Sequence, residues 1–246
     1  MVLFPWNHPD KFVRDAEEFA EAVGVAEPLP FPEYVLEHLV EVEEWRGHVG
    51  VLLDVVRGTV HPDYAGKSWF WLLRHGKRMP HNLEMLVLNP EYYFTPDKKL
   101  PTMSYLSFGG DFYVYGDGNH RTCLAKFLRA MLPERSPELW EKWRGVIDGV
   151  EVYVKRVNRE VLRAFVLLGG LDGLVTVSRG RIGRWDEEGY RRDVYRLSFG
   201  VLRGGKMLRG ITADDLVELA SAPGNVFERI KGFISEFPGF LKLKIR

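Results

Sequence analysis

The sequence predicts an α/β (α+β) chain, with helices at the front, a core in which strands and helices alternate, and a mainly helical region at the back. Three observations carry this. An alternating run ends at Tyr115 and reads as a strand, and a polar Gly116-Asp117-Gly118 turn follows it. Leu124, Phe127, Leu128 and Met131 then recur at helical spacing. Outside this segment, the front of the chain carries helix-spaced apolar residues and residues 150–157 alternate like a second buried strand. The segments expected are 1–54 (helical), 55–168 (core) and 169–246 (basic, mainly helical).

Taken in order, Phe12, Ala16, Phe19 and Val23 mark a first amphipathic helix, closed by Gly24 and a linker with Pro28, Pro30 and Pro32. Val35, Leu39, Val42, Val49 and Val56 continue a helical stripe, which Gly47 and Gly50 interrupt. The β-branched density of 55–60 predicts a strand, and residues 68–74 a short helix closed by Gly76. Trp69 and Trp71 on it read as core or interface. Residues 102–108 and 112–115 form the clearest strand pair, joined at Gly109-Gly110, a dipeptide suited to a tight hairpin. A helix over 119–131 follows, and Ser136 with Pro137 opens another that bears Trp140 and Trp143. Asn158 caps a helix reaching about residue 168. Beyond it, a short strand at 175–178 precedes a helix over 187–202 bearing Arg191, Arg192 and Arg196. Thr212-Ala213-Asp214-Asp215 opens a helix and Asn225 caps a last one with Phe227, Ile230 and Phe233 or Ile234 on its apolar face. The tail 241–246 alternates like an edge strand or serves as a tether.

The turn at Asp117 is where chemistry is expected. The first turn of a helix has unpaired backbone N–H groups and a partial positive charge, so an anion can dock against Gly118, Asn119 and His120. Arg121 can add a bidentate grip, and Thr122 lies in the same turn. A plainer reading stands beside this one: Asp117 or Asn119 caps the helix, with His120 and Arg121 as a solvated first turn. Cys123 falls on the apolar side of the helix and reads as core rather than nucleophile.

The segment Asp117-Gly118-Asn119-His120-Arg121, with Ala125 in the helix after it, resembles the ParB and sulfiredoxin-like superfamily. Its members carry a strand, a Gly-containing turn with polar or basic residues, and an Ala-rich helix. Val60-His61-Pro62-Asp63-Tyr64 resembles the end of the family's first strand and its turn, residues 67–74 its short helix, and Leu100-Pro101-Thr102-Met103-Ser104-Tyr105-Leu106 the strand that opens with proline. The resemblance covers residues 55–130 and implies a mixed-sheet core that binds ATP or another nucleotide. It implies that Arg121 and the helix amides hold phosphate oxygens, that Asp117 coordinates Mg²⁺ or orients a hydroxyl, and that His120 serves as hydrogen-bond donor or acid–base group. His61, Asp63, Glu43 and Glu44 are candidates for completing a metal shell.

The chain departs from the family at several points. The cysteine with which sulfiredoxins attack is replaced by Asn119, so sulfinic acid repair is not expected. No helix-turn-helix of the partition-protein kind is evident. The Fic motif also contains Asp-Gly-Asn, but its His four residues before the Asp is Tyr113 here.

Composition bounds the rest. The 246 residues, 46% apolar and 13% aromatic, can bury a full core, and no apolar stretch approaches the roughly 20 residues that cross a bilayer. With no signal peptide apparent and a single cysteine, a cytoplasmic protein without membrane partners is expected. The absence of Gln and the excess of Arg over Lys suggest a thermophile. Net charge is zero but uneven: residues 1–44 hold eleven acids against Lys11 and Arg14, whereas 155–209 hold thirteen bases against six acids. That asymmetry fits either internal neutralisation or a polyanion partner. Two functions are therefore expected: an enzyme that cleaves or transfers a phosphoryl group of a nucleotide, or a DNA-binding protein or nuclease held on DNA by Arg191, Arg192 and Arg196. Oligomeric state is not legible.

Overall fold

The computed structural model describes residues 4–30, 32–203 and 206–221. In chain order these form α1 (Pro9–Glu18), α2 (Ala20–Val23), α3 (Glu33–His38), β1 (Val40–Leu52), β2 (Val56–Thr59), α4 (Trp69–His75), α5 (Met79–Leu88), β3 (Ser104–Phe108), β4 (Asp111–Val114), α6 (Asn119–Arg135), α7 (Pro137–Trp143), β5 (Val146–Val157), α8 (Arg159–Leu167), β6 (Val175–Glu187), β7 (Tyr190–Arg203), β8 (Lys206–Ile211) and α9 (Ala213–Ser221). Mixed α/β content with a mixed parallel and antiparallel sheet is what the sequence predicts at its coarsest. The expected Asn225-capped helix and the tail strand lie outside the described residues. Among those described, no helix is long and apolar enough to cross a membrane.

The chain separates into two compact units that interleave in sequence. One unit takes in the chain up to Leu29 and Trp45–Tyr153; the other takes in Pro30–Glu44 and the chain from Val154. Strands β1 and β5 lend residues to both.

In the first unit the strand order is β2-β4-β3-β5-β1. β2 runs parallel to β4, with Gly58 opposite Tyr113 and Thr59 opposite Val114. β3 and β4 form the expected hairpin, with Leu106 opposite Tyr113, and both turn glycines, Gly109 and Gly110, have positive φ. Helix α6 is buried along most of its length, with Cys123, Leu124, Ala125, Phe127, Leu128, Met131 and Leu132 all in the core. Each large side chain there contributes roughly 1.5–3 kcal/mol of burial. The helix also runs through Pro133 to Arg135, past the end at Met131 that the sequence suggests. α5 and the 3₁₀ turn Pro90–Tyr93 are additional to the elements that the sequence predicts, although Met79, Leu83 and Leu86 are buried at helical spacing.

Two expectations of helix are overturned. Residues 40–52 form a strand: Val40, Val42 and Glu44 alternate, and Val49 and Val51 alternate in the other phase. His48, at φ 54, separates the two phases and hides the period of two. The expected helix over 187–202 is instead β7, paired along its length with β6, so Arg191, Arg192 and Arg196 sit on a strand. Leu197, Phe199 and Val201 are buried at a spacing of two, and Tyr190, Val194 and Tyr195 add β-forming side chains. β8 extends this sheet by pairing with β7, so the described part of the region, up to Ser221, is mainly strand rather than helix. Asn158 caps α8 as expected, accepting hydrogen bonds from the amides of Glu160 and Val161 at 3.0 and 3.4 Å.

Candidate functional site

β4 delivers the chain to the Asp117 turn, and α6 begins one residue after Gly118. Gly118 is the N-cap, with φ 118, a conformation that suits glycine, and no side chain caps this helix end. The turn is strapped to the start of β3: Ser104 N–H donates to the Asp117 carbonyl at 3.3 Å, and Tyr115 N–H to the Ser104 carbonyl at 2.9 Å. Asp117 Oδ1 accepts from the Gly118 amide at 2.7 Å, and Oδ2 lies 3.4 Å from Arg121 Nη2.

This turn forms one wall of a cleft of about 270 Å³. Asp117, Gly118, His120 and Arg121 line it from the turn and α6. Arg78, His81, Asn82, Met85, Leu86 and Asn89 line it from α5 and its two ends, and Tyr92, Tyr93, Leu100 and Pro101 complete the wall. The α5 residues recur at steps of three or four, which places them on one helix face.

Arg121 is largely a structural tie. Its Nη1 donates to Tyr92 Oη at 2.7 Å and to the Pro101 carbonyl, and its Nη2 donates to the Thr102 carbonyl at 3.4 Å. With its side chain only 10% exposed and Asp117 beside it, the guanidinium is mostly spent on the protein itself. Arg78 is the contrasting cation. It is exposed and makes no ion pair among the described residues. It is also the N-cap of α5, where the helix dipole disfavours a positive charge by about 0.3–1 kcal/mol, so helix stability does not explain it. That mismatch, legible in Lys77-Arg78-Met79-Pro80, is the signal by which sequence reasoning could have found it.

His120 is held on the same wall. Its Nε2 accepts a long, 3.4 Å hydrogen bond from the Arg78 amide, and its ring meets the Tyr64 ring edge to face at 5.6 Å. Gly76 makes room: a Cβ there would come within 2.9 Å of His120 Nε2. Burial, followed by the charge of Arg78, pushes the imidazole below its ordinary range despite the opposing pull of Asp117. A neutral ring accepting at Nε2 carries its proton on Nδ1, which makes it a donor rather than a ready base.

The remaining expected residues divide. Thr122 is fully buried, with its Oγ1 2.8 Å from Tyr105 Oη, and does not line the cleft. Asn119 is buried off the cleft wall with its Oδ1 unpartnered. Cys123 lies in the core with its thiol 3.2 Å from the Trp69 carbonyl, and burial pushes it up, so it is inert. For the metal, His61 Nδ1 accepts from the Asp63 amide at 3.2 Å, and among the described residues no three His, Cys, Asp or Glu side chains come together as a shell. Asp117, with both oxygens engaged, is a poor ligand by itself.

In the second unit Glu43 binds Arg179 at 3.0 Å, Lys155 at 3.6 Å and the Tyr195 hydroxyl at 3.2 Å. Burial raises its carboxyl, but the Arg179 hydrogen bond and the two cations outweigh this and hold it below the usual range. Glu44 is buried and lies 3.1 Å from Arg156 and 4.0 Å from Arg192. Both carboxylates are thus committed to ion pairs. Of the expected DNA contacts, Arg191 lies 3.9 Å from Asp193, Arg192 sits over the Trp185 ring, and Arg196 is exposed opposite Gly180.

No protein-family model, curated protein or solved structure matches this chain.

Proposed function

We propose that the cleft between α5 and the Asp117 turn binds the phosphate of a nucleotide, ATP or a related one, and that the protein cleaves or transfers a phosphoryl group. One observation carries the reading: a single concavity joins an uncapped N-terminus of a 17-residue helix, an arginine, Arg78, with no ion pair among the described residues, and a histidine able to donate. In this reading Arg78 and the first amides of α6 hold phosphate oxygens, while His120 donates from Nδ1. Arg121 keeps Tyr92 and Pro101 against the turn. Mg²⁺, where the ligand brings it, takes its ligands from phosphate and water, since the protein offers one engaged carboxylate.

The reading is tested by titrating nucleotides, with and without Mg²⁺, into wild type and Arg78→Ala. Loss of a charge-assisted hydrogen bond of about 1.5–3 kcal/mol weakens binding roughly 10- to 150-fold in the variant. Failure of wild type to bind any nucleotide removes the proposal. The alternative, a DNA-binding protein or nuclease, draws on Arg191, Arg192 and Arg196, but two of these already lie beside acids.

A further inference from the structure

We propose that the occupant of this cleft is a phosphomonoester that carries one flat ring system, as phenyl phosphate or a nucleoside monophosphate does, rather than a triphosphate. This rests on the phosphate reading above and narrows it.

Charge is the first argument. Arg121 and Asp117 pair with each other at 3.4 Å, which leaves Arg78, without an ion pair among the described residues, as the arginine free to meet a ligand on the cleft wall. With about half a charge from the helix dipole, the site supplies on the order of +1.5. That matches the roughly −1.5 to −2 of a phosphomonoester. A triphosphate would leave more than half its charge unanswered, and Asp117 is poorly placed to recruit a compensating metal.

Shape is the second. The volume of about 270 Å³ falls below the ~300–1,000 Å³ usual for small-molecule sites. The α5 wall changes character along its length, from Arg78 through Asn82 to Met85 and Leu86. At about 1.5 Å of rise per residue, the basic and apolar ends lie roughly 10 Å apart, enough for a phosphate and one ring system. Met85 and Leu100 line the cleft while 44% and 68% exposed, and Tyr92 offers a ring beside them. Large apolar side chains left in water around a basic cleft are explained by a ligand that covers them.

The test is calorimetric titration with inorganic phosphate, phenyl phosphate, AMP and ATP with Mg²⁺. The proteins are wild type, Arg78→Ala, and the double variant Met85→Ser with Leu100→Ser, whose fold is checked by its melting temperature. Phenyl phosphate and AMP should bind wild type at least about tenfold more tightly than inorganic phosphate, and the double variant should lose this preference while still binding phosphate. Arg78→Ala should weaken all of them. Phosphate binding with no preference for the ring-bearing monoesters, or ATP binding more tightly than AMP, overturns this inference and leaves the phosphate reading standing. Absence of binding by every phosphate overturns both.

Discussion

Arg78 and Arg121 lie on one cleft and have opposite assignments, which is the most discriminating feature at the scale of single residues. Arg121→Ala strips hydrogen bonds from Tyr92, Pro101 and Thr102 in a nearly closed environment, so its first effect is on folding. A loss of about 1–3 kcal/mol in denaturant unfolding is expected, whereas Arg78→Ala should leave unfolding nearly unchanged and act on ligand affinity. Equal unfolding midpoints for both variants would make Arg121 a free ligand after all. His120 yields a pH prediction. Its folded-state pKa is lowered, so the unfolded chain binds the proton more readily, and stability rises with pH until the ordinary range near 6.5 is passed. The unfolding midpoint should therefore fall as pH drops below about 6.5, and His120→Asn should flatten that part of the curve. A wild-type curve with no slope there would mean that the ring is solvated.

Secondary-structure elements follow local chemistry wherever that chemistry is strong. Asn158 satisfies two free amides at the start of α8, so Asn158→Ala should cost about 1 kcal/mol in urea unfolding. No change would show that water caps the helix as well as the side chain does. In the core of the first unit, Phe127→Ala should cost about 3–5 kcal/mol, because α6 is enclosed on most sides and the space cannot collapse. A small loss there would indicate a looser core than the burial implies. Where the local signal is mixed, tertiary pairing prevails. The charges of 187–202 sit at spacings a helix could use, yet Leu197, Phe199 and Val201 are satisfied only by the alternation of a strand.

For the molecule as a whole, zero net charge coexists with basic strands, and ion pairing within the second unit absorbs much of their charge. Glu43, Glu44 and Asp193 answer Arg179, Lys155, Arg156, Arg181 and Arg191. The nucleotide reading therefore expects no retention of duplex DNA in a mobility assay at physiological salt. A shift at low salt that weakens steeply as salt rises, by counterion release, would instead establish the DNA-binding class.

Read alone, the sequence determined the β3–β4 hairpin, its delivery of the chain into a glycine turn, and the long helix after it. It also determined the caps at Asn158 and Thr212. All of these rest on contacts between residues close in the chain, where spacing and side-chain type are sufficient. Four of the expected site residues, Asp117, Gly118, His120 and Arg121, do share one cleft wall. Only the tertiary structure decided that Thr122 faces the core, that Arg121 is spent on Tyr92 and Pro101, and that Arg78, forty-odd residues upstream, supplies the available positive charge. It likewise decided that 40–52 and 187–202 are strands. The reason is physical: burial and pairing are satisfied by partners distant in the chain, and no local pattern records which distant groups will arrive.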